Sequence, residues 1–78
     1  MGTKLPQVKA KDLVKVATKL GFIFRSQTGS HAVYIHPDGR KTTISVHPVE
    51  TIGVGLLTKI IRKDFKITKE EFRKLLKG

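Results

Sequence analysis

Residues 22–47 read FIFRSQTGSHAVYIHPDGRKTTISVH. Runs of β-branched and aromatic residues alternate in this stretch with turn-forming residues, which is typical of short strands joined by hairpins. The turn Pro37–Gly39 supplies a proline with fixed φ, an aspartate and a glycine that tolerates positive φ, so it specifies the second hairpin. We predict three antiparallel strands at Phe22–Arg25, His31–His36 and Lys41–Val46, with the first turn at Thr28–Ser30.

Alternation of apolar side chains assigns one face of this sheet to the core. Val33 and Ile35 share a face of the second strand, and Ile44 and Val46 share a face of the third. We predict that these four side chains belong to the core. His31 falls on the same face as Val33 and Ile35, at the end of the strand, where core packing should be running out.

Helical periodicity flanks the three strands on both sides. Apolar residues recur at helical spacing over Lys11–Leu20, and Gly21 follows where a helix C-terminus favours a left-handed residue. A broad apolar stripe predicts a second helix over Val54–Lys63. Thr68 and Glu71 form a capping-box pattern, which predicts a short third helix.

The 78-residue chain can build one domain with one modest core, so any active site must lie on the surface or at a shallow rim. No internal repeat, linker or low-complexity tract divides residues 1–78, which we predict to be a single domain. After an extended lead-in through Pro6, the predicted order is α-β-β-β-α with a short extra C-terminal helix. This order is an α+β layered sandwich.

Net charge is the most informative bulk property. Sixteen Lys and Arg against six Asp and Glu give a formal charge of +10 and a pI near 10.3. Nucleic acid is the first-choice partner, because a positively charged protein that binds a phosphate backbone releases counterions, and this release favours binding. A membrane surface is not expected, since no amphipathic helix with exposed bulky apolar groups is evident. The alternatives are a soluble basic domain without such a partner and a domain whose charge complements an acidic protein.

The sequence contains no cysteine, and it has no apolar run long enough to cross a bilayer. Disulfides and cysteine-based zinc sites are therefore excluded. Met1–Lys9 lacks the apolar stretch and cleavage site of a secretory signal. We expect a cytoplasmic protein.

Carboxylates are few and scattered, which argues against a metal-dependent nuclease, because such enzymes cluster acidic residues around divalent cations. The six are Asp12, Asp38, Glu50, Asp64, Glu70 and Glu71. We expect no metal and no small-molecule cofactor. A metal-free route to cleavage exists for RNA, whose 2′-hydroxyl attacks the adjacent phosphodiester once a base removes its proton. Histidine suits that role near neutral pH.

Three histidines compete for this role. His31 follows the first turn, His36 enters the second, and His47 precedes Pro48 at the exit of the third strand. A lone histidine in a small domain is more often a hydrogen-bonded structural residue than a catalytic one. From the residues alone, His31 is a candidate and no more.

The block GSHAVY at residues 29–34 resembles the HicA family of toxin endoribonucleases. It is preceded by a helix ending in LGF at 20–22, and it is followed by a hairpin and ISVH at 44–47. The resemblance runs from about Lys9 to Leu76 and includes the order of elements and the glycine before Leu56. The combination is specific, although each piece alone would be weak.

The resemblance implies a fold similar to double-stranded RNA-binding domains, cleavage of mRNA, and inhibition by a HicB antitoxin. The family's catalytic histidine falls on His31 by motif position, and Gly29 and Ser30 carry over as the loop that presents it. Fold similarity to duplex binders does not establish duplex binding. Flexible single-stranded RNA is the expected substrate, because in-line attack is hard to reach inside a stacked duplex.

Our hypothesis for the mechanism uses His31 as general base and nearby cations that stabilise charge on the transition state. Arg25 and Lys41 on neighbouring strands, and Lys59 on the second helix, are the candidate cations. The general acid stays open between His47 and a lysine.

Two other interpretations of the protein's function remain. In the first, the chain is a non-catalytic RNA-binding domain in which His31 is structural. Lys11, Lys15 and Lys19, spaced along one face of the first helix, would then contact phosphates, or they form an ordinary solvated face. In the second, the positive surface fits an acidic protein subunit.

Overall fold

The structure is a computed structural model and describes residues 7–78, so the predicted lead-in through Pro6 lies outside the described residues. Its elements are β1 Val8–Lys9, α1 Ala10–Leu20, β2 Ile23–Thr28, β3 His31–Ile35, β4 Lys41–Ser45, β5 Thr51–Ile52, α2 Val54–Lys59, a π-helical segment Ile60–Phe65, and α3 Lys69–Lys77. The predicted α+β order of helix, three strands and helices is confirmed. None of the helices within residues 7–78 is long and apolar enough to span a membrane.

Strands β2, β3 and β4 form an antiparallel sheet in that order. His31 at the start of β3 lies opposite Thr28 on β2 and Ser45 on β4. A second, two-stranded antiparallel sheet pairs β1 with β5, and the sequence did not predict it. Each of these strands has only two residues, which is too short to show a period of two.

Local hydrogen bonds explain where the helices begin and end. The backbone N–H of Lys9 donates to Asp12 Oδ2 at 2.9 Å at the start of α1, and Gly21 ends this helix with a φ of 103°. At α3, Glu71 N–H donates to Thr68 Oγ1 at 3.0 Å while Thr68 N–H donates to Glu71 Oε1 at 3.1 Å. The predicted capping box is confirmed.

The second helix changes its winding part-way. The predicted helix Val54–Lys63 is α-helical over Val54–Lys59 and π-helical over Ile60–Phe65. It ends at Lys66, whose φ of 56° is left-handed and whose N–H donates to the Ile61 carbonyl. A 3.6-residue hydrophobic period cannot signal the wider turn, so the prediction ended too early.

The core lies between the helices and one face of the three-stranded sheet. Helix α1 contributes Leu13 and Val16, while the sheet contributes Ala32, Thr42 and Ile44. The other buried apolar residues are Val8, Ala10, Ala17, Phe22, Ile52, Leu57, Ile60, Ile61, Phe65 and Phe72.

The predicted core face of β3 is wrong. Val33, Ile35 and Val46 are only half-buried, whereas Ile44 is buried as predicted. In β3, Ala32 is buried instead. Both alternating sets of positions in HAVYI contain apolar residues, so the pattern alone does not decide which face is buried. The β-branched residues Val33 and Ile35 face outward. Val46 follows the last residue of β4. His31 therefore lies with Val33 and Ile35 on the open face, the face of the sheet that points away from the core.

The β3–β4 hairpin is anchored to the helices through two half-buried side chains. His36 Nε2–H donates to the Leu20 carbonyl at 2.8 Å, and its ring meets Phe22 edge-on at 5.2 Å between centroids. Arg40 donates to the Phe65 carbonyl, and its guanidinium carbon lies 5.4 Å from the centre of the Phe22 ring. These contacts fix the sheet against α1 and the end of the π-helical segment.

Candidate active site

A tight turn places His31 at the tip of the sheet. Gly29 and Ser30 form a two-residue connection between β2 and β3, and Gly29 has a φ of 58°. A positive φ at the first central position alone is the pattern of a type II′ hairpin turn, which matches the twist of the strands. The His31 side chain is exposed. No hydrogen bond or ion pair with another of residues 7–78 engages its ring.

Hydroxyl groups surround His31 on the open face. Thr28 and Ser45 are its cross-strand partners, and side chains at such positions are about 4.5–5.5 Å apart at Cβ. Val33, two residues after His31 in β3, pairs with Ser26 on β2 and with Thr43 on β4. The imidazole thus has neighbours that can hydrogen-bond a ribose or phosphate without adding negative charge.

Two of the predicted cations share a cleft with His31. This cleft has a volume of about 310 Å³ and includes Lys41 of β4 and Lys59 of α2. Its other lining residues are Thr42, Thr43, Leu56, Ile60 and Asp64. The cleft therefore combines an accessible imidazole with two ammonium groups.

The two lysines differ in their surroundings. Lys59 Nζ lies 3.7 Å from Asp64 Oδ1. Lys41 lies opposite Ile35, four residues along β3 from His31, which is about 13 Å at the usual strand rise. Lys41 therefore lies at the opposite end of the β3–β4 ladder from His31.

Arg25 does not line this cleft. It lies at the β-bulge of β2, where the register shifts between Phe24 and Ser26, so that two residues oppose Val33. A bulge re-aims the side chains next to it. Arg25 is exposed and precedes Thr28, the cross-strand partner of His31, by three residues.

The lysines of α1 lie elsewhere. Lys15 Nζ donates to the Leu76 carbonyl at 3.0 Å, and Lys19 Nζ donates to the Leu75 carbonyl at 2.8 Å. Both ammonium groups thus satisfy carbonyls in the last turn of α3, where cations are favoured by the helix dipole. Lys11 lines a separate, largely apolar cleft of about 360 Å³ between α1 and the sheet.

The family model described as "HicA toxin of bacterial toxin-antitoxin" matches residues 10–67. The chain belongs to the HicA toxin family. The matched segment includes His31, both lysines of the cleft and the whole π-helical segment, whereas α3 follows it. A search of curated proteins finds no match.

The other two histidines of this HicA toxin differ in accessibility. His36 is committed to the Leu20 carbonyl on one ring nitrogen, while the other accepts from Asp38 N–H at 3.1 Å. His47 is exposed, and its Nε2 lies 3.3 Å from the Oγ of Ser30. Ser30 is the residue that directly precedes His31. His36 is therefore structural, and His47 belongs to the same end of the sheet as His31.

Metal-ligating side chains do not converge in the described part of this HicA toxin. Within residues 7–78 no group of three histidine, cysteine or acidic residues is placed to hold an ion. In the His31 cleft, Asp64 is the acidic lining residue, and it is already engaged by Lys59 and by Thr42 Oγ1 at 3.0 Å.

Proposed function

We propose that this HicA toxin is a metal-independent endoribonuclease that cleaves mRNA with His31 as its general base. The observation that carries the proposal is the exposed imidazole of His31, without a hydrogen-bond partner among residues 7–78, in a cleft with Lys41 and Lys59. Family membership supports the toxin role. The net charge of +10 supports a polyanionic substrate.

In the proposed reaction, the unprotonated ring of His31 accepts the proton of a ribose 2′-hydroxyl. The 2′-oxygen attacks the adjacent phosphorus, and the bond to the 5′-oxygen breaks. The products are a strand that ends in a 2′,3′-cyclic phosphate and a strand with a free 5′-hydroxyl. Lys59 stabilises negative charge on the phosphate, while Lys41 holds a neighbouring phosphate of the same strand.

Single-stranded mRNA is the proposed substrate. His31 is exposed at the tip of the sheet, so a flexible strand can bend there into the in-line geometry that a stacked duplex resists. This substrate implies a cytoplasmic site of action.

A HicB antitoxin is the proposed protein partner. It would neutralise the toxin by covering the tip of the sheet, where His31 is accessible to RNA. An acidic contact surface on this partner would complement the net charge of +10.

The test is cleavage of a labelled single-stranded RNA in the presence of EDTA by the wild type and by His31→Ala and His31→Gln. We expect wild-type cleavage to survive chelation, and both variants to lose about 10²- to 10⁴-fold in rate, the usual contribution of general base catalysis. Lys69→Ala, at an exposed position of α3, is the control and should cleave like the wild type.

RNA binding by the same proteins, measured by fluorescence anisotropy, completes the experiment. We expect His31→Ala to bind RNA nearly as well as the wild type, because an exposed imidazole adds little to phosphate binding. A wild type that binds RNA without cleaving it would identify a non-catalytic RNA-binding module. Equal cleavage by wild type and His31→Ala would refute the role of His31. Expression of both proteins in cells should arrest growth only for the wild type.

A further inference from the structure

His47 lies at the same end of the sheet as His31. His31 pairs with Ser45, and Val46 N–H donates to the Ser30 carbonyl at 2.9 Å, which continues the ladder by one residue. His47 lies two residues beyond Ser45, in the loop after β4, and its backbone N–H donates to Ser45 Oγ at 3.2 Å. Since Ser45 is the cross-strand partner of His31, this hydrogen bond keeps His47 beside the residue that faces His31.

Ser30 holds the His47 ring. Its Oγ lies 3.3 Å from Nε2, and no hydrogen bond among residues 7–78 engages Nδ1. Glu50, the acidic residue of the same loop, has its carboxylate bound to Ser45 Oγ at 2.8 Å. A protonated His47 therefore has an exposed ring whose Nδ1–H is free to donate to a ligand at the tip of the sheet.

We propose that His47 is the general acid of the cleavage reaction and donates a proton to the 5′-oxygen as it leaves. This inference rests on the proposed ribonuclease function. His31 takes the 2′-hydroxyl proton as the bond from the 2′-oxygen to phosphorus forms. The bond from phosphorus to the 5′-oxygen breaks, and that oxygen takes its proton from His47. Solvent water then takes the proton from His31 and returns one to His47, so no further reactant is required.

The chemistry requires such a group because an alkoxide is a poor leaving group until it is protonated. Two histidines at the same end of the sheet, His31 at the start of β3 and His47 in the loop after β4, divide the work: one removes a proton and the other supplies one. A lysine is less suited to the second task, since it gives up its proton less readily near neutral pH. His36 cannot serve, because both of its ring nitrogens are hydrogen-bonded within the fold.

The test compares two RNA substrates that differ in one atom. One has the natural 5′-oxygen at the cleavage site, and the other has a bridging sulfur there, which leaves as a thiolate without needing a proton. We expect His47→Ala to slow cleavage of natural RNA by about 10²- to 10⁴-fold and to cleave the sulfur substrate within about threefold of the wild-type rate. His31→Ala should be slow on both substrates.

Val49→Ala is the matched control, because Val49 is exposed in the same loop and has no group that can transfer a proton. It should cleave both substrates like the wild type. Thermal melting establishes that His47→Ala is folded, and His47→Gln replaces it otherwise. Equal losses on both substrates, or no loss on natural RNA, would overturn the assignment of His47. A wild type that cleaves neither substrate would refute the ribonuclease function, and the role of His47 with it.

Discussion

Lys59 and Asp64 face each other inside the cleft that contains His31, with Nζ 3.7 Å from Oδ1. The Lys59 side chain is 57% exposed, whereas that of Asp64 is 17% exposed and accepts a hydrogen bond from Thr42 Oγ1. The carboxylate is thus held against β4, and the ammonium is free to move. A phosphate that enters the cleft competes with Asp64 for Lys59.

Asp64→Asn should therefore tighten RNA binding. The asparagine oxygen can still accept from Thr42, but it no longer competes with phosphate for the ammonium of Lys59. We expect a gain of up to about fivefold in affinity, since a mostly exposed ion pair contributes about 1 kcal/mol or less. Fluorescence anisotropy with a single-stranded RNA, in the His31→Ala background to prevent cleavage, measures it.

Glu70→Gln is the matched control for Asp64→Asn. Glu70 pairs with Lys74 at 3.9 Å on α3, and both side chains are largely exposed. This substitution removes the same charge at a site away from the cleft, so it should raise affinity less. An equal gain from both substitutions, or weaker binding by Asp64→Asn, would show that Lys59 and RNA do not compete.

Lys59→Ala and Lys19→Ala should affect different properties. The plot of log affinity against log salt concentration has a negative slope. Removing a cation that neutralises one phosphate of a single strand makes that slope less steep by about 0.7. We expect this change for Lys59→Ala, measured by anisotropy from low to moderate salt. Lys19 Nζ donates to the Leu75 carbonyl at 2.8 Å, so Lys19→Ala should lower the melting temperature and leave the slope unchanged. A flatter slope for Lys19→Ala would instead assign the α1 lysines to RNA binding.

Those parts of the fold that depend on local chemistry could be predicted from the sequence. Gly21 ends α1, the Pro37–Gly39 turn joins β3 to β4, and Thr68 with Glu71 begins α3, each through contacts between near neighbours. The buried face of β3 could not be predicted, because both phases of its alternation are apolar. The outcome there depends on packing with the helices.

The candidate site was predictable to a similar degree. The motif around His31 predicted a candidate imidazole, which the structure leaves exposed, and Lys41 lines the same cleft although it pairs at the far end of β3. The bulge at Arg25 could not be predicted from the sequence, since it arises from a register shift between β2 and β3. The hydrogen bond from Lys19 on α1 to the Leu75 carbonyl on α3 joins residues far apart in the chain, so helical spacing does not reveal it.

Asp38 should contribute to the pH dependence of stability. The backbone N–H of Arg40 donates to its Oδ1 at 3.0 Å, which lowers the pKa of Asp38 below its ordinary value of 3.8. Because the folded-state pKa is the lower one, the ionised carboxylate stabilises the fold above the unfolded-state pKa. This stabilisation is lost as pH falls through the folded-state pKa.

Asp38→Asn tests this contribution through melting temperatures measured from pH 7 down to pH 2. We expect the variant to melt below the wild type at neutral pH, with a gap that narrows as the pH falls below the ordinary pKa of 3.8 and through the lower pKa of folded Asp38. A gap that stays constant over the whole range would assign the effect to altered geometry in the turn instead of charge.

His36→Ala should separate the structural histidine from the catalytic candidates. The His36 side chain is 18% exposed, and its removal leaves the Leu20 carbonyl without its donor and eliminates the edge-on packing against Phe22. We expect the free energy of unfolding, measured with urea, to fall by about 1–3 kcal/mol, because a partly buried carbonyl is left without its partner. The cleavage rate per folded molecule should stay at the wild-type value. His31→Ala should show the reverse, with stability within about 0.5 kcal/mol of wild type and cleavage slowed by about 10²- to 10⁴-fold. Since both substitutions remove the same imidazole, a slow but fully stable His36→Ala would reverse the two assignments.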